Sequence, residues 1–215
     1  MTIQIRRVYP LIRLTTALAL MTLGCSAMWA GAIVLEPIAN EFNTGRGNSS
    51  LIYGSFMIGF ALGGVFMGRL ADRMGIMIPA LIGSLALPAG FYLAAHASSI
   101  LEICLAFSLL CGFLGSSFSM APLIADISHW FNRRRGLAVG IAFSGSYVAG
   151  AIWPPILQRM FDAQGWRESF IDLALLTLIL MALLSLMLYP RPPTTEQLPT
   201  AGSANSNLTK SSISA

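Results

Sequence analysis

The side chains able to do chemistry are few, and they stand at the margins of long apolar runs. Both histidines, His96 and His129, fall at the ends of such runs. An intramembrane serine protease would need a serine and a histidine together inside the bilayer, and a nucleotide site would need a Gly-Lys-Ser phosphate loop. Neither pattern occurs. Cys25, Cys104 and Cys111 all lie within apolar runs, and an odd, buried set gives no disulfide framework. No group of Cys, His and acidic residues has metal-ligand spacing, so neither a metal, another cofactor nor an enzymatic activity is expected. Two charged stretches remain: Asp72 between Gly68 and Gly75, and the run Arg133, Arg134, Arg135. No Asp, Glu, Lys or Arg falls near the middle of any apolar run, although charges within the membrane are the usual mark of a substrate or proton pathway.

The elements that must position these residues follow from composition. Of 215 residues, 55% are hydrophobic and 10% charged. A soluble domain carries about 25% charged residues, so the class is an all-α polytopic membrane protein. Uncharged or nearly uncharged runs cover 14–35, 47–68, 74–101, 103–125, 136–158 and 173–190. Lipid offers backbone groups no partners, so each run is read as a transmembrane helix. The domain organisation is a cytoplasmic N-terminus over 1–13, a six-helix domain over 14–190 and a Pro/Ser/Thr-rich polar tail over 191–215 that should be disordered. On the fifth run, at roughly 100° per residue, Gly136, Gly140 and Gly150 fall near one meridian. Ala138, Ala142, Gly145 and Ala149 fall near the opposite one. Small residues let neighbouring backbones approach, so this helix is expected to pack on two sides.

Orientation follows from the basic residues. Arg6, Arg7, Arg13, Arg69, Arg73, Arg133, Arg134, Arg135, Arg191 and Lys210 lie on one side, and Arg46, Arg159 and Arg167 on the other. Ten against three places both termini in the cytoplasm, with Arg133–Arg135 as a cytoplasmic anchor. The net charge of +4 belongs to loops beside spans, so no nucleic-acid partner is implied; the first partner is the lipid bilayer.

Gly68-Arg69-Leu70-Ala71-Asp72-Arg73-Met74-Gly75 resembles the signature loop of the major facilitator superfamily. It lacks the basic residues that usually follow the second glycine, having Ile76, Met77 and Ile78 instead. Trp130-Phe131, Arg133 to Ala138, Gly140, Ala142 and Gly145 resemble the fifth-helix pattern of the monocarboxylate transporter and oxalate/formate antiporter group. Pro154-Pro155, Gly165-Trp166-Arg167 with Phe170, and Pro37-Ile38 with Glu41-Phe42 extend the likeness over about 34–170.

The resemblance implies half of a carrier with two six-helix halves and its site between them. It implies a conformational latch at Gly68, Asp72, Arg73 and Gly75, where Gly68 and Gly75 would allow tight turns. It also implies a substrate cavity with Thr22, Ser26 and Trp29 from the first helix and Ser108, Ser116, Ser117 and Ser119 from the fourth. Each of those side chains would serve packing equally well. The chain reads as the N-terminal half of a secondary carrier of small organic anions in a plasma membrane of bacterial type. Its partner would be a C-terminal half or a second copy of itself; the other reading is a truncated or non-transporting scaffold. Reporter fusions after Gly75 and Asn132 should score cytoplasmic, and fusions after Asn43 and Ala163 external. An external score at Asn132 would overturn the orientation.

Overall fold

The computed structural model describes residues 2–43, 45–131 and 134–188, with the backbone alone for 2–10, 46, 48 and 49. The tail over 191–215 and Arg133 lie outside the described residues. Six helical stretches are long and apolar enough to cross a membrane: Leu11–Ile33, Ser50–Met74, Met77–Ala95, Ile100–Trp130, Arg135–Gln164 and Trp166–Leu186. Among the described residues the fold is all-α.

Only part of this is regular helix. The first span comprises α1 (Thr2–Gly24), α2 (Ser26–Ile33) and α3 (Leu35–Glu41), with turns at Cys25 and Val34. Because α1 starts at Thr2, Arg13 lies inside a continuous helix. The second and third spans are α4 (Arg46–Met74) and α5 (Met77–Ala95). Gly75 separates them at φ 86°, its N–H donating to the Ala71 carbonyl at 2.8 Å. Only glycine takes that left-handed conformation without a Cβ clash. Gly165, at φ 84°, divides α8 (Arg135–Gln164) from α9 (Trp166–Leu186) in the same way. Gly68, in contrast, sits within α4 and makes no turn.

The fourth span departs furthest from a simple helix. It opens as α6 (Ile100–Leu105), where the Ser99 hydroxyl accepts the Glu102 N–H at 3.3 Å and the Glu102 carboxylate accepts the Ser98 N–H at 2.7 Å. That arrangement is a variant of the capping box in which the return bond falls on the residue before the N-cap. It then widens into a π-helix over Ala106–Ser116, tightens to a 3₁₀ turn over Ser117–Ser119, and finishes as α7 (Ala121–Trp130) after Met120 leaves helical geometry at ψ −93°. π-Helical turns concentrate at functional sites.

Glycines seat this irregular span among its neighbours. A Cβ on Gly59 would strike the Ser108 carbonyl, and one on Gly63 the Phe113 carbonyl, so α4 lies against the π-helix backbone to backbone. Gly112 meets Phe56 and Phe60 across the same seam, while Gly90 meets Cys111 and Gly115 meets Leu87 of α5. Lipid gives helices no hydrophobic reason to associate, so close backbone packing supplies the attraction. Nearer the other edge, the fully buried Phe170 ring sits 5.5–5.8 Å from Phe91, Phe107, Phe161 and Trp166 and joins the third to sixth spans.

Around α8 the two small faces differ. Ala138, Ala142, Gly145 and Ala149 are buried, and a Cβ on Gly145 would lie 2.6 Å from the Leu18 carbonyl of α1. Gly150 faces Trp29, whereas Gly136 and Gly140 have nothing within 4 Å. Gly64 on α4 is equally open. Gly63→Leu should therefore break the α4–π seam, at the upper end of or beyond the roughly 1–3 kcal/mol typical of overpacking, and lose the monodisperse species on size exclusion. Gly64→Leu, one residue away, should leave both elution and thermal melt unchanged.

Candidate functional site

Three polar layers cross the bundle: an ion pair at each end and a group of hydroxyls between. In the middle, the seven sequence candidates separate by hydrogen bonding. Thr22 donates to the Leu18 and Gly145 carbonyls, at 2.9 and 3.0 Å. Ser117 donates to the Phe113 carbonyl and Ser119 to that of Ser116. Ser108 is half-buried, with its carbonyl against Gly59. The remaining three have no partner: Ser26 Oγ, Ser116 Oγ and Trp29 Nε1. Ser26 and Ser116 are 0% and 1% exposed.

Gly24 abuts Ser119 and Gly31 abuts Phe107, so the first and fourth spans run antiparallel in contact. Ser26 follows Gly24 by two residues on the first span, and Ser116 precedes Ser119 by three on the fourth. Trp29, one turn further along, rests on Gly150, where a Cβ would come 2.9 Å from the indole. An unmade hydrogen bond on a buried donor costs about 1–3 kcal/mol. Ser26, Ser116 and Trp29 each carry that cost.

At the end where α1 begins, Arg13 is buried to 1% exposure and forks onto Asp126: Nε to Oδ2 and Nη2 to Oδ1, both 2.8 Å. Its Nη1 donates to the Leu188 carbonyl at 3.3 Å, and its guanidinium lies 4.7 Å from the centre of the Trp130 ring. One side chain thus binds the first span to the ends of the fourth and sixth. Arg13 is therefore not part of a cytoplasmic N-terminus over 1–13, as its place at the edge of the apolar run suggests: α1 carries it into the bundle as a buried cation. A fork of this geometry is the strongest form of the pair.

Asp126 also walls a cavity of about 620 Å³ beside this pair. The signature-loop residues Gly68, Asp72, Arg73 and Gly75 line its other side, with His129 at the rim. The loop is therefore next to the inner ion pair, one carboxylate away. Arg134 and Arg135 are exposed at the start of α8.

At the opposite end, Glu41 of α3 accepts from Trp166 Nε1 at 2.6 Å and from Arg167 Nη2 and Nε at 2.8 and 3.1 Å. Arg167 also donates to the Ala95 and Ala97 carbonyls, at 2.7 and 3.0 Å, and covers the Trp166 ring at 4.4 Å. The first, third and sixth spans meet there. Among the described residues these are the two ion pairs: one ties the first span to the fourth, the other ties it to the sixth.

The described residues thus form a bundle of six apolar helical stretches with a glycine-capped loop after the second, one irregular span and buried donors without acceptors. The family model of the Major Facilitator Superfamily matches residues 16–214, and the chain belongs to that family of transporters. It is 34% identical over 132 residues to the MFS-type transporter pytF of Aspergillus terreus, covering 61% of this chain and 44% of that one. Monocarboxylate transporter 11 of Homo sapiens is 34% identical over 149 residues, 67% of this chain and 31% of that one. Riboflavin transporter RibJ of Trypanosoma cruzi is 36% identical over 108 residues, 50% of this chain and 23% of that one. The chain spans less than half the length of each of these relatives.

Removing one member of the inner pair strands the other's charge. Arg13→Gln should destabilise the bundle by about 3–5 kcal/mol, whereas Arg13→Met with Asp126→Leu should recover most of that loss. Thermal melts of detergent-purified protein check both. A single variant that melts like wild type would show the pair to be dispensable.

Proposed function

We propose that the chain is one six-helix half of a secondary active carrier for small organic anions, of which monocarboxylates are the first candidates. The observation that carries this reading is the trio Ser26, Ser116 and Trp29. These are buried donors without acceptors on the first and fourth spans, with Trp29 packed against Gly150 of the fifth. A carboxylate brings acceptors only, the partners that such donors lack. Relatives described as monocarboxylate transporters, at 30–35% identity, favour the same substrate class.

The half reading rests on uncovered faces. Gly64 of α4 and Gly136 and Gly140 of α8 present close-packing surfaces with nothing against them. A second six-helix unit, either a C-terminal half or another copy of this chain, would cover them and supply the far wall of the site. Arg13 cannot serve as the substrate cation, because Asp126 already holds its charge. The partner would therefore bring the positive charge needed to draw a carboxylate out of water. The basin between Asp72 and Asp126 is where the latch would act, at the cytoplasmic face of a plasma membrane of bacterial type with both termini inside. A non-transporting scaffold is favoured instead only by the single wall, which by itself completes no pathway.

Binding tests this reading directly. Titrating the purified chain with pyruvate, lactate, formate and oxalate should give a saturable change in tryptophan emission. The change should vanish in Trp29→Phe and need about tenfold more ligand in Ser26→Ala, the loss of one hydrogen bond to a charged group. No response to any of the four, or a response that survives Trp29→Phe, would sink the proposal. In proteoliposomes the chain alone should show no concentrative uptake.

A further inference from the structure

At the end of the bundle where the third span finishes and the fourth begins, a groove of about 530 Å³ opens on the outer surface of the helices. Its walls are Leu93, Leu105, Leu109 and Leu110. The first three are more than half exposed, at 53%, 51% and 56%. At its mouth stand His96 and Glu102. His96 caps α5 and Glu102 lies in the first turn of α6, so both sit at the membrane edge. Leu105 and Leu109 follow Glu102 by one and two turns, which carries the apolar wall roughly 10 Å deeper at 1.5 Å per residue. The groove is polar at the surface and apolar toward the bilayer centre, the profile of an amphiphile lying along the helices.

Hydrogen bonding at the mouth narrows the headgroup. His96 Nδ1 lies 2.9 Å from the Tyr92 carbonyl. A carbonyl only accepts, so Nδ1 carries the proton, which leaves Nε2 as the acceptor of the uncharged tautomer. The Tyr92 ring, 4.5 Å away, braces that orientation. Glu102 adds a carboxylate, of which one oxygen takes the Ser98 N–H. Arg167, the nearby cation at this end, turns its donors to Glu41 and to the Ala95 and Ala97 carbonyls. The mouth thus presents acceptors and negative charge. It complements a headgroup with N–H donors and positive charge, and it repels a headgroup with net negative charge.

We propose that this groove is a binding site for phosphatidylethanolamine of the adjoining leaflet. One acyl chain lies along Leu93, Leu105 and Leu109, and the primary ammonium donates to Glu102 and His96. Phosphatidylcholine has the same chains and charges but no N–H, so it would gain the apolar contact alone.

The test is native mass spectrometry of the detergent-purified full chain mixed with equimolar phosphatidylethanolamine, phosphatidylcholine and phosphatidylglycerol of identical acyl chains. Wild type should retain phosphatidylethanolamine about tenfold over phosphatidylcholine, the factor expected of a charge-assisted hydrogen bond. Glu102→Gln should reduce that preference to near unity while still closing the capping box, since glutamine serves there as well as glutamate; an unchanged thermal melt would confirm the fold. Leu109→Trp, which fills the groove, should lower retention of all three lipids. Equal retention by wild type, preference for phosphatidylglycerol, or a phosphatidylethanolamine preference untouched by Glu102→Gln would each overturn the site.

Discussion

A bilayer supplies no water to a stranded charge, and this constraint makes the Arg13–Asp126 pair the point on which the end of the bundle nearest the N-terminus depends. An arginine on a helix at this depth must either reach the interface or find its counter-ion inside the protein. Arg13 does the second. Its fork takes both oxygens of Asp126, and its remaining nitrogen takes the Leu188 carbonyl, one of the last carbonyls of the sixth span that have no partner within the helix. The pair therefore fixes three chain segments that are far apart in sequence. Mirroring it, Glu41 gathers Trp166 and Arg167 at the other end. The first and sixth spans are thus joined at both ends, into a frame on which the other spans are hung.

Between the ends, cohesion is of a different kind. Carbonyl oxygens of the π-helix rest where the side chains of Gly59 and Gly63 would be, and Leu87 rests on Gly115. Such contacts gain dispersion energy over a large area and tolerate no added methyl. They also let a helix of irregular pitch sit among straight ones. A π-helix widens the turn and displaces its side chains from α-helical register, and Ser116 is its last residue, at the point where the span retightens into a 3₁₀ turn. The irregular geometry and the unfilled hydrogen bonds occur in the same stretch.

Much of the fold was legible from residues alone. Six apolar runs gave six spans, because run length and the absence of charge are properties of the sequence itself. The buried small face of α8 followed from helical periodicity. Other features were not legible for definite physical reasons. Arg13 stands at the edge of its apolar run, and nothing local says whether the helix begins before or after it; starting at Thr2 turns a loop charge into a core one. The π-helix leaves no compositional mark, since its residues would suit an α-helix. Gly68 and Gly75 look alike in the signature loop, yet only Gly75 has positive φ, because the chain turns only there. Among the seven cavity candidates, residue type could not separate Thr22, Ser117 and Ser119 from Ser26, Trp29 and Ser116. That distinction depends on which backbone carbonyls come within reach.

The distribution of polar partners bears on how such a unit moves. Both ion pairs join spans to one another within the unit and are complete without any ligand, so they resist its coming apart. The three unpaired donors lie at mid-depth, away from both pairs, in the layer where a bound acceptor would change the energy most. The open glycines Gly64, Gly136 and Gly140 lie on the second and fifth spans, which take part in neither pair. Binding energy would then be gained at the centre and at the open faces, and motion would be that of a stiff body against whatever covers those faces. A carrier half needs that separation: the frame must keep its shape while the surface beside the site changes partners.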